Sequence, residues 1–156
     1  MKTVTILCVG RLKAPYWRDA AAYYAKLLSR HMRLECVEVK DGPARLSPEE
    51  RTEAEGRSLL AKLGPKLCGV ALDERGPAMD SPGLARLLKS MQEDPARSPC
   101  FVIGGAFGLS AEVQAACPQS LSLGRLTFTH EIARVLLMEQ IYRATSILKN
   151  LPYHHA

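Results

Sequence analysis

No apolar run in this sequence approaches the roughly 20 residues that a membrane span needs. The most apolar stretches, residues 4–9 (interrupted by Thr5) and 135–138, are far shorter. Residues 1–9 imitate a secretory leader only faintly. Their apolar part is short, and Arg11 and Lys13 stand where a small-residue cleavage site belongs. They read instead as a first strand, and the chain as cytoplasmic. No CxxC pair occurs, and the five cysteines (Cys8, Cys36, Cys68, Cys100 and Cys117) are odd in number. Neither a disulfide framework nor a zinc knuckle is indicated. The first four recur about every 30 residues, one strand-plus-helix unit. That spacing suits small hydrophobes in a reduced core. Histidine is confined to His31, His130, His154 and His155, so no metal site is expected. Repeats, low-complexity segments and interdomain linkers are all missing, and residues 1–156 read as one domain. A chain of this length buries enough surface to fold without covalent or metal staples.

Positive charge is present, and it is unevenly placed. Residues 1–40 hold eight Lys/Arg against three Asp/Glu, a net of +5, whereas residues 41–156 hold thirteen of each. The excess therefore lies in Lys2, Arg11, Lys13, Arg18, Lys26, Arg30, Arg33 and Lys40. Such clustering fits either a phosphate-binding footprint or a solvated basic face.

Periodicity predicts strands at 3–9, 33–39, 67–72, 99–103 and 120–123. Helices are predicted at 15–30, from Ser47 to about 63, from Ser81 to about 92, from Ser110 to about 116 and over 131–149. Ser47-Pro48-Glu49-Glu50 has the pattern of a capping box with proline in the first turn. Residues 41–46 read as the most flexible loop. Alternating strands and helices predict an α/β fold with a mostly parallel sheet and flanking helices.

Ligands of such sheets bind beyond the carboxyl ends of the strands. Three ends are unusual: Leu72-Asp73, Gly104-Gly105, and the loop Gly124-Arg125-Leu126-Thr127-Phe128-Thr129 leading to His130. Gly104-Gly105 admits close backbone approach, since no Cβ intervenes. It lacks the spacing of a dinucleotide fingerprint and the Lys-Ser/Thr of a P-loop, and a plain tight turn explains it equally well. The 124–129 loop offers free backbone groups suited to an adenine edge. His130 either faces that ligand or merely packs at a helix start. On the last predicted helix Glu139 and Arg143 form an i,i+4 pair, and Arg134 is free to hold a phosphate. The apolar surface of that helix is wide for one lying on a single sheet, which suggests a second copy of the chain as partner.

The combination of these pieces resembles the RlmH family of SPOUT-class RNA methyltransferases. It comprises Val9-Gly10, Ala71-Leu72-Asp73 with Gly76, and Phe101-Val102-Ile103-Gly104-Gly105-xx-Gly108-Leu109-Ser110. It continues with Ser122-Leu123, Leu126-Thr127, His130-xxx-Arg134-Val135-Leu136-xx-Glu139-Gln140-Ile141-Tyr142-Arg143-Ala144, Asn150 and Pro152-Tyr153-His154. The resemblance implies a C-terminal trefoil knot, a homodimer, and S-adenosylmethionine as cofactor. The pocket would be lined by Leu72, Gly104, Gly105, Leu123 and the loop Gly124, Arg125, Leu126, Thr127, Phe128 and Thr129. It further implies methylation of N3 of a pseudouridine in 23S ribosomal RNA on assembled ribosomes. A basic pocket of His130, Arg143, Tyr153 and His154 would assist, with the tail acting on the partner subunit. Thr129 stands where a proline often precedes the histidine, which is expected to loosen the loop. The alternatives are a SPOUT enzyme acting on transfer RNA, a nucleotide-binding module without catalysis, and a ribosome-associated factor that keeps only the fold.

Overall fold

The computed structural model describes residues 1–155; Ala156 lies outside them. Strands and helices alternate: β1 (Val4–Val9), α1 (Pro15–Ser29), β2 (Leu34–Val39), α2 (Pro48–Lys62), β3 (Leu67–Leu72), α3 (Ser81–Glu93), β4 (Ser98–Ile103), α4 (Ala111–Ala116), β5 (Gln119–Leu121) and α5 (His130–Leu148). The strands form one sheet in the order β2-β1-β4-β3-β5, and every pairing is parallel. Crossover helices cover both faces of such a sheet, so its inner strands need apolar side chains in both directions. This accounts for β1, in which all six residues are buried.

Two packed layers result. Val4, Ile6 and Cys8 face one way, against Leu28 of α1, Leu84 and Leu88 of α3, and Leu137 and Ile141 of α5. Leu7 and Val9 face the other way, against Leu59 of α2 and Val113 of α4. Cys8, Cys68, Cys100 and Cys117 are buried as expected, but Cys36 is exposed, because it lies on the edge strand β2. Burial pushes the thiols of Cys8 and Cys100 up to about 12 and that of Cys117 up to about 11, so all three stay protonated and unreactive at neutral pH.

Local signals set the helix starts. The capping box at Ser47 is complete, with Ser47 Oγ accepting from Glu50 N and Glu50 Oε2 accepting from Ser47 N. For α3 the cap is Asp80 rather than Ser81, which becomes the first helical residue. Residues 41–46 are tied down rather than loose. The amide of Gly42 donates to Glu55 Oε2 at 2.8 Å, and Glu55 is only 3% exposed. No helix among the described residues is long and apolar enough to cross a membrane.

Candidate active site

A cavity of about 660 Å3 opens at the carboxyl ends of β3 and β4 and beyond β5. Three segments line it. Leu72 and residues 73–75 come from the end of β3; residues 103–109 follow β4; Leu123, Gly124, Leu126, Thr127, Phe128 and Thr129 lead to His130. Nine of the ten residues expected around a cofactor thus share one cavity. Arg125 is the exception: its side chain is exposed and does not line it. Gln114 and Phe107 also line the cavity and were not anticipated. Gln114 carries no local signal. Phe107 could have been noticed as a large aromatic in a turn otherwise made of small residues.

The glycine turn is shaped by its own packing. A Cβ on Gly104 would lie 2.6 Å from the carbonyl carbon of Gly108, and one on Gly105 would lie 2.8 Å from Glu55 Oε1. Gly108 closes the turn at φ +79°, with its amide donating to the Gly105 carbonyl at 3.1 Å. Gly104 is therefore required before any ligand arrives, and Gly105 is required as long as Glu55 keeps its place.

The segment after β5 is stitched to the segment after β3. Ser122 N donates to the Pro77 carbonyl, Ser122 Oγ donates to the Glu74 carbonyl at 3.1 Å, and Gly124 N donates back to Ser122 Oγ. Among the described residues, 125–128 make no backbone–backbone hydrogen bond outside helices and strands. Thr129 is the N-cap of α5. Its hydroxyl caps the helix, accepting from Ile132 N at 3.4 Å. His130 lines the cavity beside Gly10, and its Nδ1 is buried without a hydrogen-bond partner.

Arg134 is not available to a phosphate. It is 4% exposed, pairs with Glu38 Oε2 at 2.7 Å, and donates to the Gly10 carbonyl at 2.9 Å. This pairing joins α5 to the ends of β1 and β2.

Arg143, Tyr153 and His154 form a second cluster, away from the cavity. Glu139 Oε1 accepts from Arg143 Nε at 3.1 Å and from the Tyr153 hydroxyl at 2.9 Å. The Arg143 guanidinium lies 4.8 Å from the Tyr153 ring centroid, and its Nη1 is 3.5 Å from His154 Nδ1. The tail turns back at Asn150, whose φ is +54°, and Leu151 N donates to the Ser146 carbonyl. The hydrogen bond from Arg143 to Glu139 raises the guanidinium's pKa further, and the arginine is permanently charged. Burial, and then the bond to Glu139, raises that of the Tyr153 phenol, which is a donor and not a base at neutral pH. The expected quartet is therefore split within one chain. His130 and Arg143 sit thirteen residues apart on α5, about 20 Å at 1.5 Å per residue.

Of the eight basic residues in the first quarter, all but Lys2 are exposed. No group of three or more potential metal ligands is found among the described residues.

A parallel α/β sheet with its cavity at the strand carboxyl ends defines the class as an open-sheet α/β ligand-binding fold. A probable methyltransferase from Bordetella pertussis Tohama I matches with a TM-score of 0.56 at 16% identity, over 92% of this chain and 93% of that one. A probable methylase family protein from Haemophilus influenzae Rd KW20 also matches at 0.56, with 12% identity, over 98% of this chain and 70% of that one. The chain belongs to the SPOUT methyltransferase family: the family model described as "Predicted SPOUT methyltransferase" matches residues 1–154. It is 46% identical over 155 residues to the Ribosomal RNA large subunit methyltransferase H of Nitratidesulfovibrio vulgaris (strain DP4), covering 99% of both chains. It is 45% identical over 154 residues to the protein of the same name from Desulfovibrio desulfuricans, covering 99% of this chain and 98% of that one.

Proposed function

We propose that this chain is an S-adenosylmethionine-dependent methyltransferase of the cytoplasm that methylates N3 of a pseudouridine in large-subunit ribosomal RNA on assembled ribosomes. The end-to-end likeness to relatives named Ribosomal RNA large subunit methyltransferase H carries the choice of RNA. The whole chain acts as one domain, and two copies make the enzyme.

The cavity fits the cofactor. Its volume lies in the range of roughly 300–1,000 Å3 typical of cofactor sites. Leu72, Gly104, Gly105 and Leu123 would form its walls, and the unengaged backbone of residues 125–128 would meet the adenine edge. The cofactor, when bound, supplies a methyl group on a sulfonium, which the nucleophile takes in one displacement. A trefoil knot would fix this loop. Hydrogen bonds from Ser122 to Glu74 and Pro77 hold the segments after β3 and β5 side by side, which is the neighbourhood such a knot would occupy.

A neutral imide nitrogen is a poor nucleophile, so loss of the N3 proton must be favoured. Glu139 occupies Nε and Nη2 of Arg143, while Nη1 faces His154. Glu139 compensates much of the Arg143 charge and fixes the guanidinium's orientation, and the free Nη1 is the donor left to stabilise an imide anion. In this reading His154 accepts or relays the proton, Tyr153 packs its ring against the guanidinium, and His130 meets the substrate from the cavity wall. Because one chain keeps His130 far from Arg143, the tail cluster serves the cavity of a second copy. Leu136 and Leu148, exposed on α5 at 37% and 39%, with half-buried Val135 and Tyr142, suit the contact between copies.

Transfer of labelled methyl from S-adenosylmethionine to ribosomes lacking the modification tests this reading, with separated subunits and transfer RNA in parallel. Label is expected in large-subunit RNA of whole ribosomes, with activity falling steeply as salt rises. Label in transfer RNA alone would favour the other SPOUT activity. A folded dimer that binds cofactor and labels nothing would leave a binding module.

A further inference from the structure

We propose that Phe107 is a stacking platform for an unpaired RNA base at the mouth of the cavity, with Arg51 as its cationic backing. The inference rests on the RNA-methylating reading above and adds a subsite to it. Phe107 is 51% exposed, one of a few large apolar side chains left in solvent, yet it lines the cavity. An exposed aromatic ring held beside a reaction site needs an explanation that a scattered surface residue does not. The turn that carries it is closely packed: Gly104 lies against the Gly108 backbone and Gly105 against Glu55, and the Gly108 amide donates to the Gly105 carbonyl. Helix α2 braces the turn with two residues one turn apart. Glu55 abuts Gly105, and the Arg51 guanidinium carbon lies 5.3 Å from the Phe107 ring centroid. Arg51 forms no salt bridge among the described residues, so its charge is not spent on a carboxylate.

An aromatic face next to an uncommitted guanidinium is the combination that takes a splayed-out base together with its phosphate. Any base can stack, so the subsite contributes grip and register rather than sequence readout. It would hold a nucleotide flanking the target while the target itself enters the cavity.

The test compares wild type, Phe107→Ala, Phe107→Tyr and Arg51→Gln, each checked for an unchanged thermal transition. Methyl transfer is followed against ribosome concentration, and cofactor affinity is measured by calorimetry. Phe107→Ala is expected to raise the KM for ribosomes by about 5- to 150-fold, the range for loss of one stacked base, with cofactor affinity within about twofold of wild type. Phe107→Tyr should behave as wild type, and Arg51→Gln should raise KM and weaken its salt dependence. An unchanged KM in Phe107→Ala overturns the proposal, and so does an equal loss of cofactor affinity, which would make the ring a wall of the cofactor pocket. If wild type labels transfer RNA instead of ribosomes, the ribosomal reading fails while the same KM ratio on that RNA still decides the platform. If it labels no RNA, both fall.

Discussion

Arg134 and Glu38 lie 96 residues apart in the chain and 2.7 Å apart in the fold. The arginine is almost fully buried, whereas the glutamate side chain is 42% exposed. A second donor of the same guanidinium holds the Gly10 carbonyl. The charge is therefore a structural bolt between the last helix and the strand ends that flank the cavity.

Removing that bolt should cost more than a surface pair does. Arg134→Met keeps much of the buried stem but leaves the Gly10 carbonyl without its donor. A loss of about 1.5–3 kcal/mol is expected, the range for hydrogen bonds to a charged group. Glu38→Gln, on the exposed side, should cost about 1 kcal/mol or less. Urea midpoints at constant slope measure both. Equal, small losses would mean that water replaces Glu38 and that the arginine does not bolt the helix.

Tyr153 makes a pH prediction. Its phenol is raised above the ordinary value of 10, first by burial and then by its bond to Glu139. A raised folded pKa means that the folded state holds the proton more tightly. The contribution is therefore complete below pH 10 and is lost as pH rises from there through the folded pKa. In a titration of tyrosine absorbance, one phenol should ionise later than the others. Tyr153→Phe should remove that late step and flatten the fall in stability above pH 10. A late step that persists in Tyr153→Phe would assign it elsewhere.

These cases show what could be read in the chain. The capping box at Ser47 was legible because all its partners lie within four residues. The strand positions were legible because a parallel sheet buried on both faces demands apolar runs. The carboxyl-end cavity followed from fold class, and with it the placing of Leu72, the glycine turn and the 124–129 loop. What failed were the pairings across the fold. Arg134 looked free because nothing near it in sequence reveals Glu38. Residues 41–46 looked loose because Glu55, which holds Gly42, belongs to the next helix. Cys36 looked buried because periodicity does not tell an edge strand from a central one. The split of His130 from Arg143 was visible as helix length, but it acquires meaning only when the cavity is located.

The glycine turn separates packing from ligand binding. Gly104→Ala would put a methyl group 2.6 Å from backbone of Gly108, which cannot swing aside as a side chain can. The turn must shift, at a cost of about 1–3 kcal/mol for overpacking, and cofactor affinity should fall at least tenfold. Gly64→Ala is the control, since nothing lies within 4 Å of its Cβ. It should leave affinity unchanged in calorimetry. Normal cofactor binding by Gly104→Ala would show that the turn does not shape the pocket.

The proposed division of the site between two copies gives the sharpest prediction. Each chain holds a cavity with His130 at one end of α5 and a basic tail cluster at the other. If the tail of one copy serves the cavity of the other, a cavity defect and a tail defect can complement each other. Gly104→Ala disables a cavity but leaves its chain's tail intact; His154→Ala does the reverse. With cofactor held well below the Kd of Gly104→Ala, each homodimer should be nearly inactive, with His154→Ala losing turnover by about 100-fold or more while cofactor affinity is kept. Unfolding and refolding an equal mixture should make half the dimers mixed. In a two-fold symmetric pair each mixed dimer has one sound cavity facing one sound tail. Methyl transfer should then recover to roughly a quarter of the wild-type level. If instead each tail served its own cavity, no mixed dimer would contain a complete site, and refolding together would recover nothing.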